Sequence, residues 1–120
     1  MYIIENNKIK VSRGDAFTTT FDIEGYTFKE DDVLKLAVFE QGSTFEDALV
    51  TVNGDIDLEN NRTNFSFEES DTLFSDPISE PETYSFEIKL NGDQTVLGYD
   101  DDGAKEFILY PAEVGDKNVK

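Results

Sequence analysis

Residues 82–90, Glu-Thr-Tyr-Ser-Phe-Glu-Ile-Lys-Leu, set Tyr84, Phe86, Ile88 and Leu90 against Ser85, Glu87 and Lys89. No other feature constrains the chain as strongly. Alternation with a period of two collects the apolar side chains on one face only when the backbone is extended. Asn91-Gly92-Asp93 follows, a turn signal because Asn and Gly tolerate the positive φ that tight hairpin turns demand, and Val96 and Tyr99 begin a return run. The stretch predicts an antiparallel hairpin with one buried face.

The same reasoning extends along the chain. Ile9 and Val11 alternate with Lys8 and Lys10; after a turn at Arg13-Gly14-Asp15, Phe17, Thr19, Phe21 and Ile23 alternate in turn. Leu34, Leu36 and Val38 share a face, while Val33, Ala37 and Phe39 make the opposite face only partly polar, the mark of a central strand. Residues 44–52 read as a turn or brief helix running into a strand at Leu49 to Val52. Asn53-Gly54 predicts a two-residue hairpin turn, followed by Ile56 and Leu58, a break at Asn60-Asn61, and a strand through Phe65 and Phe67. Residues 69–82 hold two prolines and are expected to form a long loop crossing between sheets; Phe107 and Leu109 then mark a last strand ending at Pro111.

Seven to nine short strands at this spacing, with almost no helical period, predict an all-β fold, specifically an immunoglobulin-like antiparallel β-sandwich, with a closed barrel as the structural alternative. Tyr84, two residues before the core position Phe86, stands where a tyrosine corner would be, although Phe86 replaces the cysteine of antibody domains. The 120-residue chain suits one core, which buries roughly two thirds of the unfolded surface. The expected division is a single domain over 1–112 and a flexible tail over 113–120. There is no cysteine, so neither disulfides nor thiolate metal ligands stabilise it. The N-terminal residues lack the pattern of a secretion signal, no run reaches the roughly 20 apolar residues of a membrane span, and synthesis in the cytoplasm is the expectation.

Charge narrows the function classes. The net charge is −17, with 13 acidic residues in 1–60 and 14 in 61–120, so the acidity is spread rather than confined to a tail. Such a field repels nucleic acid and anionic membranes. The densest basic cluster, Lys8, Lys10 and Arg13, is too small for a phosphate track.

Catalysis finds few candidates, since His and Cys are both absent. Asp55, Asp57 and Glu59 fall at alternate positions and would share one strand face, which reads as a solvated face opposite Ile56 and Leu58 before it reads as a carboxylate pair. Asp100, Asp101 and Asp102 precede Gly103; they offer oxygen ligands for a cation such as calcium, but they lack the alternate spacing of an EF-hand loop and read first as an acidic turn. No cofactor is implied. Asn61-Arg62-Thr63 and Asn64-Phe65-Ser66 fit the glycosylation pattern and, without a secretion signal, indicate exposed turns. Tyr2, Ile3 and Ile4 are the interaction candidates: they either pair within the sheet or form an edge strand able to add to a neighbouring chain.

Taken in order, Ile9, Gly14-Asp15, Phe17, Phe21 and Ile23, then "DDVLKLAVF", "ETYSFEIKLNGD" and "EFILYP", resemble the small β-sandwich domain at the N-terminus of upper baseplate proteins of tailed phages and of related prophage proteins. The resemblance covers roughly residues 7–111. It implies a non-enzymatic part of a phage tail or baseplate that works by contact with other virion proteins, often as an oligomer, and is located in the host cytoplasm before assembly. Such domains are often followed by further modules, so a chain ending near residue 120 implies an assembly or adaptor role. Two other classes stay open: an acidic mimic of DNA, suggested by charge alone, and a carbohydrate-binding or adhesin-like sandwich using exposed Tyr and Asp residues.

Overall fold

The computed structural model describes residues 2–5, 8–23, 25–98 and 103–112. Nine strands carry the described part: β1 (Tyr2–Glu5), β2 (Lys8–Ser12), β3 (Phe17–Phe21), β4 (Leu34–Phe39), β5 (Val50–Asp57), β6 (Arg62–Phe67), β7 (Glu82–Leu90), β8 (Gln94–Leu97) and β9 (Lys105–Tyr110). Among the described residues the helical content is two single 3-10 turns, Phe45–Asp47 and Glu69–Thr72. The class is all-β.

The strands form one hydrogen-bonded path, β1-β2-β9-β7-β4-β5-β6-β3, with β8 paired to β7. Every pair is antiparallel except β2 with β9, which run parallel and depart from the purely antiparallel expectation. The path curls so that its far end, β6 and β3, covers the apolar face of β7 and β9. Phe67 lies 5.8 Å from Phe107 and Phe21 lies 6.4 Å from Phe86, while Phe17 and Phe67 stack at 4.5 Å.

The alternating residues fill this core as their period predicts. Tyr84, Phe86, Ile88 and Leu90 are buried together with Phe17, Leu36 and Val38, and Phe21 packs partly buried against them. Burial of each large apolar side chain contributes about 1.5–3 kcal/mol. Ala37 and Phe39, on the opposite face of β4, are buried as well, in keeping with a strand flanked by β5 and β7, whereas Val33 lies ahead of the strand and is 58% exposed.

One predicted turn is absent. Asn53-Gly54 lies inside β5, which pairs with β4 from Val50 to Asn53 and with β6 from Gly54 to Asp57. The strand passes from one part of the curled sheet to the other at this dipeptide, as strands do at the corners of packed sheets. Gly54 is required there for close approach. A Cβ on it would stand 2.5 Å from Thr63 Oγ1, 3.1 Å from Phe65 Cε1 and 3.2 Å from Leu34 Cβ. The reversal into β6 comes later, through Asn61 with φ 54°. The Asn91-Gly92 turn forms as predicted, with φ of 53° and 87°.

The stretch expected to be a long loop does cross from β6 to β7, but it is tied down. A reciprocal pair of hydrogen bonds between Glu68 and Asp71 opens the second 3-10 turn. Thr72, fully buried, accepts a hydrogen bond from Gly14 N–H at 2.9 Å, and its hydroxyl lies 3.0 Å from the Asp15 carbonyl. Arg13, also buried, donates from Nη2 to the Ser75 carbonyl, and Phe74 packs edge-on to Tyr84 at 5.0 Å. Residues 113–120, expected as a tail, lie outside the described residues.

Candidate interaction site

β1 ends the strand path. Its register sets Tyr2 opposite Val11, Ile3 opposite Lys10 and Ile4 opposite Ile9. One edge of β1 is therefore bonded to β2, and its other edge meets no strand among the described residues. The backbone of this segment pairs with β2 and stands at the end of the strand path. An unpaired row of N–H and C=O groups can template a further strand.

The acidic candidates fare differently. Asp100, Asp101 and Asp102 lie outside the described residues, and among the described residues no group of three or more His, Cys, Asp or Glu side chains could hold a metal. Asp57 caps the β5–β6 turn, accepting from the Asn60 side-chain amide at 2.8 Å and from its backbone N–H at 3.2 Å. Those hydrogen bonds, the side-chain one foremost, hold its carboxyl below the usual range, the opposite of what a general acid needs. Glu59 lies beyond the strand, in the turn.

Tertiary context disperses the small basic cluster and corrects one further sequence reading. Arg13 is buried, and Lys8 pairs with Glu106 at 3.1 Å, so the three basic residues do not form one exposed cluster. Asn64 sits within β6 opposite Thr20 rather than in a turn. Asn61 does occupy a turn, but its amide is spent on the fold: its oxygen accepts from Phe28 N–H at 2.7 Å and its nitrogen donates to the Tyr26 carbonyl at 2.9 Å. Asp32 accepts from Tyr26 Oη at 2.7 Å, from Lys29 N–H at 2.8 Å and from Asn91 Nδ2 at 3.1 Å. A shallow depression does lie beside Tyr26, Asn60 and Asn61, yet these polar groups already hold the 26–32 arm in place.

The outward face of β4 and β7 carries a feature that single-strand patterns did not reveal. Register places Lys35 directly opposite Lys89. Together with Val33, Phe45, Glu46, Ala48 and Thr51 they line an open groove of about 480 Å³. Lys89 Nζ sits 4.8 Å from the Phe45 ring centroid and 3.6 Å from Glu46 Oε1, with only 17% of its side chain exposed. Glu46 is held below the ordinary carboxylate range, first by a hydrogen bond from its own backbone N–H and next by the charge of Lys89. Lys35 makes no ion pair among the described residues. The groove is thus a locally basic, partly apolar spot on a strongly acidic protein.

Comparison with known protein families, with curated proteins and with solved structures finds no match to the chain. Among the described residues, no helix is long and apolar enough to cross a membrane.

Proposed function

We propose that the chain is a non-enzymatic interaction module with an immunoglobulin-like β-sandwich architecture, acting in a phage or prophage tail or baseplate by docking onto other virion proteins. The strand order supports the architecture: β3, β6 and the second half of β5 follow the order B-E-D of that fold, and β4, β7 and β9 follow C-F-G. Tyr84 stands at the expected corner position, although its hydroxyl donates to the Glu82 side chain at 2.7 Å rather than to upstream backbone. The baseplate assignment rests on the resemblance of the strand and turn motifs.

The observation that carries the docking reading is the outer edge of β1, which meets no strand among the described residues and whose sequence is Tyr-Ile-Ile-Glu. A long-lived exposed strand edge is a liability unless a partner covers it. The acidic surface would steer a basic partner surface and set a salt-sensitive on-rate more than the affinity. In this reading the protein is made in the host cytoplasm and ends in the virion, with self-association as a second use of the same edge.

The test is capture of the products of neighbouring genes by the purified chain at physiological salt, with light scattering to detect self-association. Deleting residues 1–6 is expected to abolish the contact. Failure of the intact chain to bind itself or any neighbouring product, or binding that the deletion leaves unchanged, would overturn the reading.

A further inference from the structure

The groove on the outward face of β4 and β7 lies apart from the β1 edge, and its reading does not rest on the virion assignment. Like charges directly opposite across an antiparallel pair have Cβ atoms roughly 4.5–5.5 Å apart and destabilise the sheet. Lys35 and Lys89 are such a pair; Glu46, the acidic residue in the groove lining, sits beside Lys89 and is 74% exposed on its side chain, and Glu87 follows on the same face of β7, opposite Ala37. A carboxylate lodged between the two ammonium groups would relieve their repulsion. Lys89, mostly covered, would gain more from it than a fully solvated lysine does, because screening by water is weaker there. Beside the ammonium groups, Val33 at 58% exposure, Phe45 and Ala48 offer an apolar floor.

We propose that this groove docks an acidic peptide segment of a partner protein, with a carboxylate between Lys35 and Lys89 and a neighbouring apolar side chain against Val33 and Phe45. Charge complementarity selects the occupant. At a net −17 the rest of the surface rejects anionic segments, and at physiological ionic strength that repulsion is screened beyond about 8 Å, so an acidic segment is accepted where local charge is positive. The lining favours a peptide over an acidic sugar. Two lysines act as point charges rather than as planar forks, Thr51 adds one hydroxyl, and the one acidic lining residue, Glu46, is already engaged by Lys89 at 3.6 Å, a sparse set for reading ring hydroxyls but a sufficient one for a carboxylate next to an apolar side chain.

The experiment is a titration of the full-length chain, labelled with ¹⁵N, with the blocked peptide Ac-Leu-Asp-Glu-Leu-NH₂ at 0.15 M salt, using its amide analogue Ac-Leu-Asn-Gln-Leu-NH₂ and a hexuronate disaccharide as comparison probes. Saturable shifts centred on Val33, Lys35, Phe45, Thr51 and Lys89 are expected with the acidic peptide alone. Lys35→Gln, whose spectrum should otherwise match the parent, is expected to weaken binding about five-fold, the scale of one partly exposed ion pair. Absence of saturable shifts, equal shifts with the amide analogue, unchanged affinity in Lys35→Gln, or shifts with the hexuronate only would each overturn the proposal.

Discussion

Replacing Gly54 by alanine tests how β5 passes between β4 and β6. The added Cβ would stand 2.5 Å from Thr63 Oγ1, with Phe65 Cε1 and Leu34 Cβ at 3.1 and 3.2 Å. Thr63 and Phe65 are fully buried and Leu34 is 1% exposed, so none can swing into solvent. Overpacking of this kind costs about 1–3 kcal/mol, while the lower unfolded-state entropy of alanine returns about 0.4–1 kcal/mol. A net loss of about 1–2 kcal/mol is expected, read as a lower urea midpoint and a fall in melting temperature of roughly 3–8 °C for a domain of this size. The second arm of the test is Gly54→Ala combined with Thr63→Ala. Removing the hydroxyl and methyl nearest the new Cβ should make the double variant more stable than the sum of the two single losses, as for residues in contact. Were Gly54 instead in a hairpin turn with positive φ, the alanine would be strained whatever stood at residue 63. Strict additivity, or a Gly54→Ala protein as stable as the parent, would refute the crossing-strand account.

Phe86→Ala is expected to cost about 3–5 kcal/mol in reversible denaturation, since Phe86 is fully buried between Val38 and Lys105 in the register of β7; a loss under about 1 kcal/mol would contradict that register. Burial, and then the hydrogen bond to Glu82, push the Tyr84 hydroxyl up to about 12. The neutral phenol is therefore favoured by folding: this stabilisation is complete below the unfolded pKa near 10 and disappears as the pH rises through about 12, and ultraviolet titration should find a tyrosine ionising at about 12 that is missing in Tyr84→Phe. Asp32 is held below its ordinary value, first by the Lys29 backbone N–H and then by Tyr26 and Asn91, so its contribution is present above the unfolded carboxylate range and vanishes as the pH falls through the folded value. Asp32→Asn should flatten the acid limb of the stability profile; an unchanged acid limb would show that the Asp32 network contributes nothing to folding.

The sequence by itself determined the class of the fold and the inward face of nearly every strand. Alternation is a local property, and burying one face of an extended segment requires only that apolar residues recur every second position. Hence Phe107, Leu109, Ile9 and Val11 lie in the core as their spacing indicates, and Asn91-Gly92 turns where its tolerance of positive φ permits. What a segment pairs with is not local, and there the sequence was ambiguous. Asn53-Gly54 carries the same local signal as Asn91-Gly92, but the close approach of Thr63, Phe65 and Leu34 and the bonding of β5 to β6 keep it extended. Arg13 looks like part of a basic cluster until the crossing loop buries it, its guanidinium donating to Ser75. The groove was hidden for the same reason: outward-facing lysines on β4 and β7 are visible in sequence, but only the register, set by long-range pairing of two buried faces, brings Lys35 opposite Lys89.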